Sequence, residues 1–376
     1  MPMSPIGKRI KALREQHQLT QEDLARVFGF KDRQTVSTIE NGTRRLTADE
    51  LLLVVERFPV SLDYFTDPFL LVGEGKFSWR HSGLPEEALR EYEQRAGRWI
   101  AAYRHLAPQI GVASPLLRRS LPLRLSSSYE AAMEAGERFA AEFEMGPTPA
   151  RGLARVMEEE LGILVLMVDV EPGISGAACR LPELDVALIA RGEVAGRRHF
   201  DLAHELFHLL TWRAMPPAHS ERATTTGGSR AEHLANNFAG ALLMPADIIR
   251  RHGPWSGLDE SALVVRLNRV ADELLVTSSA LRWRLVALKE LSKGAGESLP
   301  ETALRNNGRP SVEMRDGASH AEKPPPRFSR RFAEVMARAV DKGLISLRRT
   351  ASLLECPVEG VGDLFAEHGL KRPVEL

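Results

Sequence analysis

The chain has 376 residues, 43% of them hydrophobic, which is enough for about two or three domains with ordinary cores. Fifty basic residues balance fifty acidic ones, so the overall charge points to neither a nucleic-acid nor a membrane partner, and any DNA binding must come from a local surface. Two distant cysteines, Cys179 and Cys356, exclude a disulfide scaffold. We see no signal peptide, and the apolar run Leu161–Val168 is too short to span a bilayer, so we expect a cytoplasmic protein without a membrane partner.

Residues 5–66 predict five short helices. Thr20 and Asp23 stand at capping-box spacing before the second helix, and Gly29 ends it. Asp32 begins the third helix. The stretches Leu19-Thr-Gln-Glu-Asp-Leu-Ala25 and Thr35-Val-Ser-Thr-Ile-Glu-Asn-Gly42 resemble the helix-turn-helix of the Xre family. The resemblance implies a lambda-repressor-like DNA-binding domain over residues 1–68.

In that fold the third helix enters the major groove with its N-terminal residues at base edges. Arg33, Gln34 and Thr38 would face bases, because Arg suits guanine and Gln suits adenine, and Arg14 would join the phosphate contacts. The expected DNA-contacting set is Gln21, Arg33, Gln34, Thr35, Thr38, Asn41, Arg44 and Arg45. A homodimer on a double-stranded operator is expected, because such repressors usually read two half-sites. The alternative is a five-helix domain that binds protein, as some antitoxin modules do.

Residues 69–127 are predicted to be a helical linker. A long helix running to about residue 106 carries an apolar and aromatic stripe that includes Leu89, Trp99 and Tyr103. Such a stripe is more typical of a core than of a ligand site. A segment with Pro and Ser follows it.

The next predicted domain, residues 128–292, begins with helices over 129–143 and 151–161. Strands follow at 163–168, 174–180 and 186–190, which predicts a small sheet in front of the next helix. We expect Cys179 to be a small buried residue rather than a redox switch.

That next helix contains the motif His204-Glu205-Leu206-Phe207-His208 in an apolar stretch. Four residues advance a helix by about 400°, so His204 and His208 point the same way and can hold one metal ion. Glu205 can take a proton from a water molecule on that ion. The alternative, a helix with two solvated histidines, is disfavoured because apolar neighbours would bury these polar groups without a partner.

A metal site of this kind needs a third protein ligand, with the fourth position left for water. Residues 229–245 predict a helix headed by Glu232, which would complete a His-His-Glu site. His233 and Asp247 are the alternatives for this position. Asn236 lies one turn after Glu232 on the same face and could support the site by hydrogen bonding.

The segments Leu202-Ala-His-Glu-Leu-x-His208, Glu232-x-x-Ala-Asn-x-Phe-Ala239 and Leu242-Leu-Met-Pro245 resemble the ImmA/IrrE family of regulatory metallopeptidases. The resemblance implies an α+β, gluzincin-like domain that binds zinc or manganese and cleaves a repressor protein. By motif position, His204, His208 and Glu232 would be the ligands and Glu205 the catalytic base. Phe207 stands where many members carry Gly, and His199 where many carry Arg. These departures concern the fit of the substrate rather than the ligand set.

The remaining sequence predicts two helices over 259–292, a flexible linker over 293–327 and a small helical C-terminal domain over 328–376. The linker is rich in Gly and Pro and carries too few apolar residues to fold. The C-terminal domain would either pack against the peptidase or serve in sensing or dimerisation.

These features predict a mainly α, multi-domain chain: a DNA-binding transcriptional regulator with a metal-dependent endopeptidase that cleaves a repressor, a related protein or itself to control a stress or mobile-element response. A strand at the edge of the sheet beside the zinc helix would bind extended peptide. Three histidines are open candidates for stabilising the oxyanion: His199, His219 and His233. One alternative is a non-proteolytic regulator, or antitoxin-like protein, whose second domain senses a ligand or metal, although the intact Glu205 argues against it. The other is hydrolysis of a small-molecule amide.

Overall fold

The computed structural model describes residues 5–112, 118–222, 228–306, 309–310 and 324–373. The chain forms two compact units, and each unit is assembled from separate stretches of sequence. The first unit comprises Met1–Lys76, Glu87–Ala113 and Arg338–Val361, and the second comprises Phe77–Glu86, Ser114–Ala337 and Gly362–Leu376.

The first unit begins with the five helices that the sequence predicted. They are α1 Pro5–Gln16, α2 Gln21–Phe28, α3 Arg33–Glu40, α4 Ala48–Arg57 and α5 Asp63–Thr66. Thr20 and Asp23 form the expected capping box on α2, and Gly29 ends that helix with a φ of 69°. Asp32 caps α3 by accepting from the Thr35 amide. Apolar side chains from α1 to α5 meet in one core, which explains why these short helices are stable together.

The long helix α6, Glu86–Leu106, carries its aromatic stripe inward, as the sequence predicted. Tyr92 and Trp99 are almost completely buried. The Trp99 indole donates to the carbonyl of Leu353, at 2.9 Å, in the C-terminal helix α16, Leu347–Leu354. Part of the C-terminal segment therefore completes the core of the first unit.

The second unit contains a five-stranded sheet. Its strands are β1 Lys76–His81, β2 Leu164–Val168, β3 Ile174–Arg180, β4 Asp185–Ala190 and β5 Ser220–Arg222, in the order β2-β4-β3-β1-β5. β4 pairs parallel with β2 and antiparallel with β3, and β1 pairs parallel with β5. The sequence predicted β2, β3 and β4 but not the other two. β1 alternates Phe77, Trp79 and His81 with polar residues, a period-two pattern that could have revealed it, whereas β5 has only three residues and shows no clear periodicity.

Helices surround the sheet and provide the rest of the second unit. They are α7 Tyr129–Glu142, α8 Pro149–Arg155, α9 Ala195–Thr211, α10 Arg230–Leu243, α11 Ala246–Arg251, α12 Glu260–Leu274 and α13 Ser278–Ala287. A π-helical turn, Val156–Glu160, continues α8. α7 and α10 cross closely at Gly136, where an added Cβ would lie 2.4 Å from the Phe238 carbonyl oxygen. Phe207 and Phe238 are fully buried between the helices, with ring centroids 5.5 Å apart.

The segment after α13 differs from the linker that the sequence predicted. It contains α14, Lys293–Ser298, and the paired two-residue strands Arg305–Asn306 and Arg309–Pro310. Leu299 and Leu304 are buried in the core of the second unit. These two leucines pack the segment despite its low apolar content. The Asn268 side chain also donates to the Ala303 carbonyl and accepts from the Arg305 amide. The predicted linker residues 311–323 lie outside the described part of the chain.

The chain then continues through α15, Arg330–Asp341, then α16, and finally α17, Val358–Glu367. The mainly helical, multi-domain fold with an α+β region is therefore confirmed. Within the described ranges, none of the helices combines the length and the hydropathy needed to cross a membrane.

Candidate metal centre

α9 holds the histidine motif inside the second unit and is fixed near both ends. At its beginning, Gly196 packs against the backbone of Val276, where an added Cβ would lie 2.5 Å from the Val276 carbonyl carbon. Near its end, the Arg180 guanidinium donates to the Leu209 carbonyl at 2.7 Å and to buried Asp185 at 2.8 Å. The motif therefore lies on a helix whose position is set by the sheet and by the turn before α13.

The side chains of His204, His208 and Glu232 converge on one point. The Nε2 atoms of the histidines are 3.1 Å apart, and the Glu232 carboxylate oxygens lie 3.2 Å from His204 Nε2 and 2.9 Å from His208 Nε2. Ligand atoms about 2.0–2.2 Å from one tetrahedral ion lie slightly farther apart than this. All three side chains are buried, and two imidazole nitrogens facing each other beside a carboxylate suit a shared cation. This His-His-Glu group could hold a metal ion.

Asn236 fixes the orientation of His204, as the sequence predicted. His204 Nδ1 donates to the Asn236 amide oxygen at 3.0 Å, so that Nε2 presents its lone pair to Glu232 and His208. Burial lowers the pKa of His204 to about 4, and the positive charge of Arg80 acts in the same direction while Glu232 opposes it. His204 is therefore neutral near pH 7, which is the form that binds a metal.

Glu205 lies beside this group and is also buried. Its Oε1 atom has no hydrogen-bond partner among the described residues. Burial raises the pKa of Glu205 well above its ordinary value; Arg80 opposes the rise, while Glu232 and Asp201 add to it. Gly176 of β3 leaves room in front of the carboxylate, since a Cβ there would lie 3.6 Å from Oε1. A carboxylate in this setting is a stronger base than an exposed one.

The two alternative ligands from the sequence do not join the group. His233 is exposed and makes a ring contact with Tyr129, at 6.2 Å between centroids. Asp247 forms an exposed ion pair with Arg251. His199 Nδ1 lies 2.9 Å from the Leu275 carbonyl oxygen, and none of the three histidines considered for the oxyanion is singled out by its contacts. Among the described residues, His204, His208 and Glu232 form the one cluster of His, Cys, Asp or Glu side chains that could hold a metal ion.

Sequence reasoning missed two residues near the motif. Arg80 of β1 donates to the Asp201 carboxylate at 2.5 Å. Asp201 is almost fully buried on α9, and burial raises its pKa to about 6. Helical spacing could have found Asp201, because it lies three residues before His204 and four before Glu205. Arg80 comes from an unpredicted strand far away in the sequence, so no local pattern indicated it.

A cavity of about 570 Å³ adjoins this part of α9. Asp201, Asn236 and Arg80 contribute to its wall, which brings the cavity next to the residues that orient His204. The other lining residues come from α7, α9, α10 and the region of α13: Met133, Arg197, Phe200, Asn237, Gly240, Thr277, Ser279, Ala280, Trp283, Arg284 and Ala287.

The prediction of a peptide-binding edge strand needs correction. The predicted strands directly before α9, β3 and β4, are both interior in the described sheet, whose edges are β2 and β5. Their backbone hydrogen bonds are already made with neighbouring strands, so peptide cannot be added along either of them. β1 occupies the side of β3 that the sequence had left open.

The predicted DNA-contacting residues lie around α3 of the first unit. Arg33, Gln34, Asn41 and Arg45 are exposed, whereas Thr35, Thr38, Gln21 and Arg44 are partly buried. Gln21 donates to Glu40 at 2.8 Å, and Arg44 forms a two-pronged contact with Glu50 at 2.6 and 3.0 Å. The guanidinium of Arg14 contacts Glu40 and the Leu19 carbonyl. The side chains of Gln21, Arg14 and Arg44 therefore take part in contacts within the domain, and the DNA contacts of the set stay a prediction.

The chain thus combines a helical first unit with a second unit that carries a His-His-Glu group able to hold a metal ion. Residues 10–65 match the helix-turn-helix family model, and residues 158–285 match the model of the IrrE N-terminal-like domain. The fusion that the motifs predicted is thereby confirmed.

Among curated proteins, the chain is similar to antitoxin PezA of Streptococcus pneumoniae serotype 4, with 39% identity over 71 residues. The match covers 19% of this chain and 40% of that relative, so the chain spans less than half the length of the curated relative. No solved structure matches the chain significantly.

Proposed function

We propose that the protein is a DNA-binding transcriptional regulator whose second unit is a zinc endopeptidase, acting on a repressor or a related protein. The observation that carries the proposal is the convergence of His204, His208 and Glu232 within 4.8 Å, with the buried acid Glu205 beside them. Two imidazoles and one carboxylate are a ligand set that suits zinc, and manganese is the alternative.

The residues around the group support amide hydrolysis. A metal ion held by these three side chains would supply Lewis-acid polarisation of the scissile carbonyl and of the attacking water. Glu205 would take the proton of that water and deliver it to the leaving amine. The Asn236 hydrogen bond keeps His204 in the tautomer that this arrangement needs. Burial around Glu205 keeps bulk water away from the proton transfer.

The first unit supports a role on DNA. Arg33, Gln34 and Asn41 stand exposed at the two ends of α3, which corresponds to the helix that enters the major groove in helix-turn-helix proteins. We propose binding as a homodimer to a two-fold operator. A regulator and a peptidase in one chain would place the cleavage reaction at the operator, where a neighbouring repressor or the chain itself is the substrate.

A second candidate is a regulator that does not cut, with the metal group used for sensing. The similarity to a protein named as an antitoxin favours it, because that similarity concerns the helix-turn-helix region. The endopeptidase needs Glu205 as its catalytic base, whereas a regulator that only senses metal does not.

The test compares the metal-loaded wild type with Glu205→Gln, His208→Ala and Glu232→Ala. Metal content per chain is measured by mass spectrometry, and cleavage of the chain itself and of a quenched fluorescent peptide mixture is followed. We expect about one zinc in wild type and Glu205→Gln, loss of metal in the two ligand variants, and cleavage in wild type alone. Wild type that takes up neither zinc nor manganese would overturn the proposal. A reporter gene that responds equally in wild type and Glu205→Gln would favour the sensing candidate.

A further inference from the structure

The cavity beside α9 has no role in the chemistry described so far. It is formed wholly within the second unit, and its wall combines charged, amide and aromatic side chains. Its volume of about 570 Å³ lies within the range of ordinary ligand pockets.

The pair formed by Arg80 and Asp201 is part of the wall. Asp201 is 2% exposed, and its Oδ1 accepts from Arg80. Asp201 Oδ2 and Arg80 Nε have no hydrogen-bond partner among the described residues, but both atoms are closed off from the cavity. The pair therefore shapes the wall, and neither of these two atoms is open to a ligand.

Arginines supply the positive charge in the wall. Three guanidiniums line the cavity, those of Arg80, Arg197 and Arg284, and Arg80 is paired with Asp201. The Arg284 guanidinium already has partners within the protein, since it donates to the Met244 carbonyl at 3.0 Å and forms an ion pair with Glu137.

Arg197 differs from the other two arginines. Its side chain is 46% exposed, and its ion pair with Glu193 is long, at 3.8 Å. An exposed pair of this length contributes little stability, so the guanidinium is available to a ligand at small cost. A carboxylate is the group that a guanidinium binds with the best geometry.

Apolar side chains complete the wall. Phe200, Trp283 and Met133 face the cavity together with small residues of α10 and α13. Trp283 is 43% exposed although it is a large aromatic residue. These surfaces suit the aliphatic stem of a long side chain whose charged end reaches Arg197.

The position of the cavity relates it to the scissile bond. Asp201 precedes His204 by three residues, which is about 4.5 Å along a helix. An extended peptide advances about 3.3 Å per residue. A peptide that runs along α9 from the metal group would therefore bring a side chain one or two residues from the scissile bond to the cavity.

We propose that this cavity is the specificity subsite of the peptidase and takes a glutamate side chain one or two residues from the scissile bond of the substrate. Arg197 pairs with the glutamate carboxylate, beside the Arg80–Asp201 pair in the wall. The inference rests on the proposed peptidase function, but it can be tested through binding alone.

The probes are peptide hydroxamates, whose hydroxamate group binds the metal, with Glu, Gln or Lys as the first or second residue after that group. Dissociation constants are measured by calorimetry on the full-length zinc-loaded chain. We expect the Glu probe to bind about tenfold more tightly than the Gln probe, and the Lys probe to bind most weakly. Arg197→Gln should abolish the difference between Glu and Gln, and Arg197→Glu should reverse the order in favour of Lys. Arg213→Gln, an exposed arginine just after the same helix, is the matched control and should change nothing.

Equal affinities for the three probes, an unchanged Glu preference in Arg197→Gln, or no binding by a zinc-loaded chain would each overturn the subsite. Zinc content and peptide cleavage on the same samples separate the two proposals. A chain that cleaves peptides but shows no preference for the Glu probe would overturn the subsite and leave the peptidase proposal standing. A chain that prefers the Glu probe without cleaving any peptide would overturn the peptidase and the subsite as stated, and would leave the cavity as a glutamate-binding site. A chain that binds no zinc would overturn both proposals.

Discussion

At the scale of single residues, one face of α9 carries Asp201, His204, Glu205 and His208 within an otherwise apolar helix. Each of these side chains is buried, so its protonation and orientation depend on the few polar atoms that touch it. Asn236 fixes His204, and Arg80 contacts Asp201. Two substitutions test these dependences separately.

Asn236→Ala should weaken zinc binding about 10- to 100-fold, because His204 Nδ1 loses its acceptor and the imidazole can then turn or change tautomer. Affinity is measured by competition with a chromophoric chelator. The neighbouring Asn237→Ala is the control, since Asn237 donates only to the His233 carbonyl of its own helix. Equal affinities in Asn236→Ala and wild type would show that the hydrogen bond does not orient the ligand.

Asp201→Asn should change how stability depends on pH in the metal-free chain. The folded pKa of Asp201 is raised to about 6, above the unfolded value near 3.8, so the folded state binds this proton more tightly. The contribution of Asp201 to the free energy of unfolding is therefore greatest below pH 4 and falls by up to about 3 kcal/mol as the pH rises through 6.

Urea unfolding of wild type and Asp201→Asn between pH 4 and 7, with chelator present, gives the difference between the two stabilities. That difference should decline as the pH rises, whereas a constant difference would show that the carboxyl group is not perturbed. Taking the difference removes the contributions of distant groups that both chains share, whereas Glu205, whose pKa Asp201 raises, stays coupled to the substitution.

At the scale of elements, the site depends on helices that approach one another more closely than large side chains allow. α10 carries Glu232 and Asn236, and it packs on α7 through Gly136. The two short strands that the sequence analysis did not predict, β1 and β5, complete the sheet on the side of β3. Close backbone approach at Gly136 therefore helps to place the helix that carries Glu232 and Asn236.

Gly136→Ala should destabilise the second unit by about 1–3 kcal/mol, because the added Cβ would meet the Phe238 carbonyl oxygen at 2.4 Å and push α10 away. Gly152→Ala in α8 is the matched control. No atom lies within 4 Å of its added Cβ, so alanine should be neutral or stabilise by up to about 1 kcal/mol. Urea unfolding of both variants measures the effect, and equal stabilities would argue against a close crossing of α7 and α10.

At the scale of the whole molecule, the order of the chain does not match the division into compact units. The first unit includes residues 338–361 as well as the helix-turn-helix region. Trp99 donates to the Leu353 carbonyl, and Arg95 pairs with Glu355 at 3.2 Å. The C-terminal segment is thus part of the core on which the first unit depends.

A chain that ends at residue 327 should therefore have a less stable first unit, with a melting temperature lower by several degrees, because the apolar surface of α6 loses its cover. Circular dichroism melts of the two chains measure this change. Trp99→Phe should reproduce a smaller part of the loss, since it removes only the indole hydrogen bond and some volume. Identical melting curves for the full and shortened chains would contradict the assignment of these residues to the first unit.

The sequence alone determined the features that are encoded locally. Capping residues and helical periodicity predicted the first five helices, and the i, i+4 histidines with a downstream glutamate predicted a group that does converge, although its role as a metal site stays a prediction. These patterns depend on residues a few positions apart, which share a helix face whatever the rest of the chain does.

Only the tertiary structure decided the features that join distant segments. It placed Arg80 against Asp201, made β3 and β4 interior strands, packed Leu304 into the core and gave the C-terminal helix α16 to the first unit. Each of these depends on a partner more than thirty residues away or on a neighbouring strand, and no local periodicity encodes such a partner. The cavity beside α9 belongs to the same class, because its wall is formed by five separate segments that meet only in the folded chain.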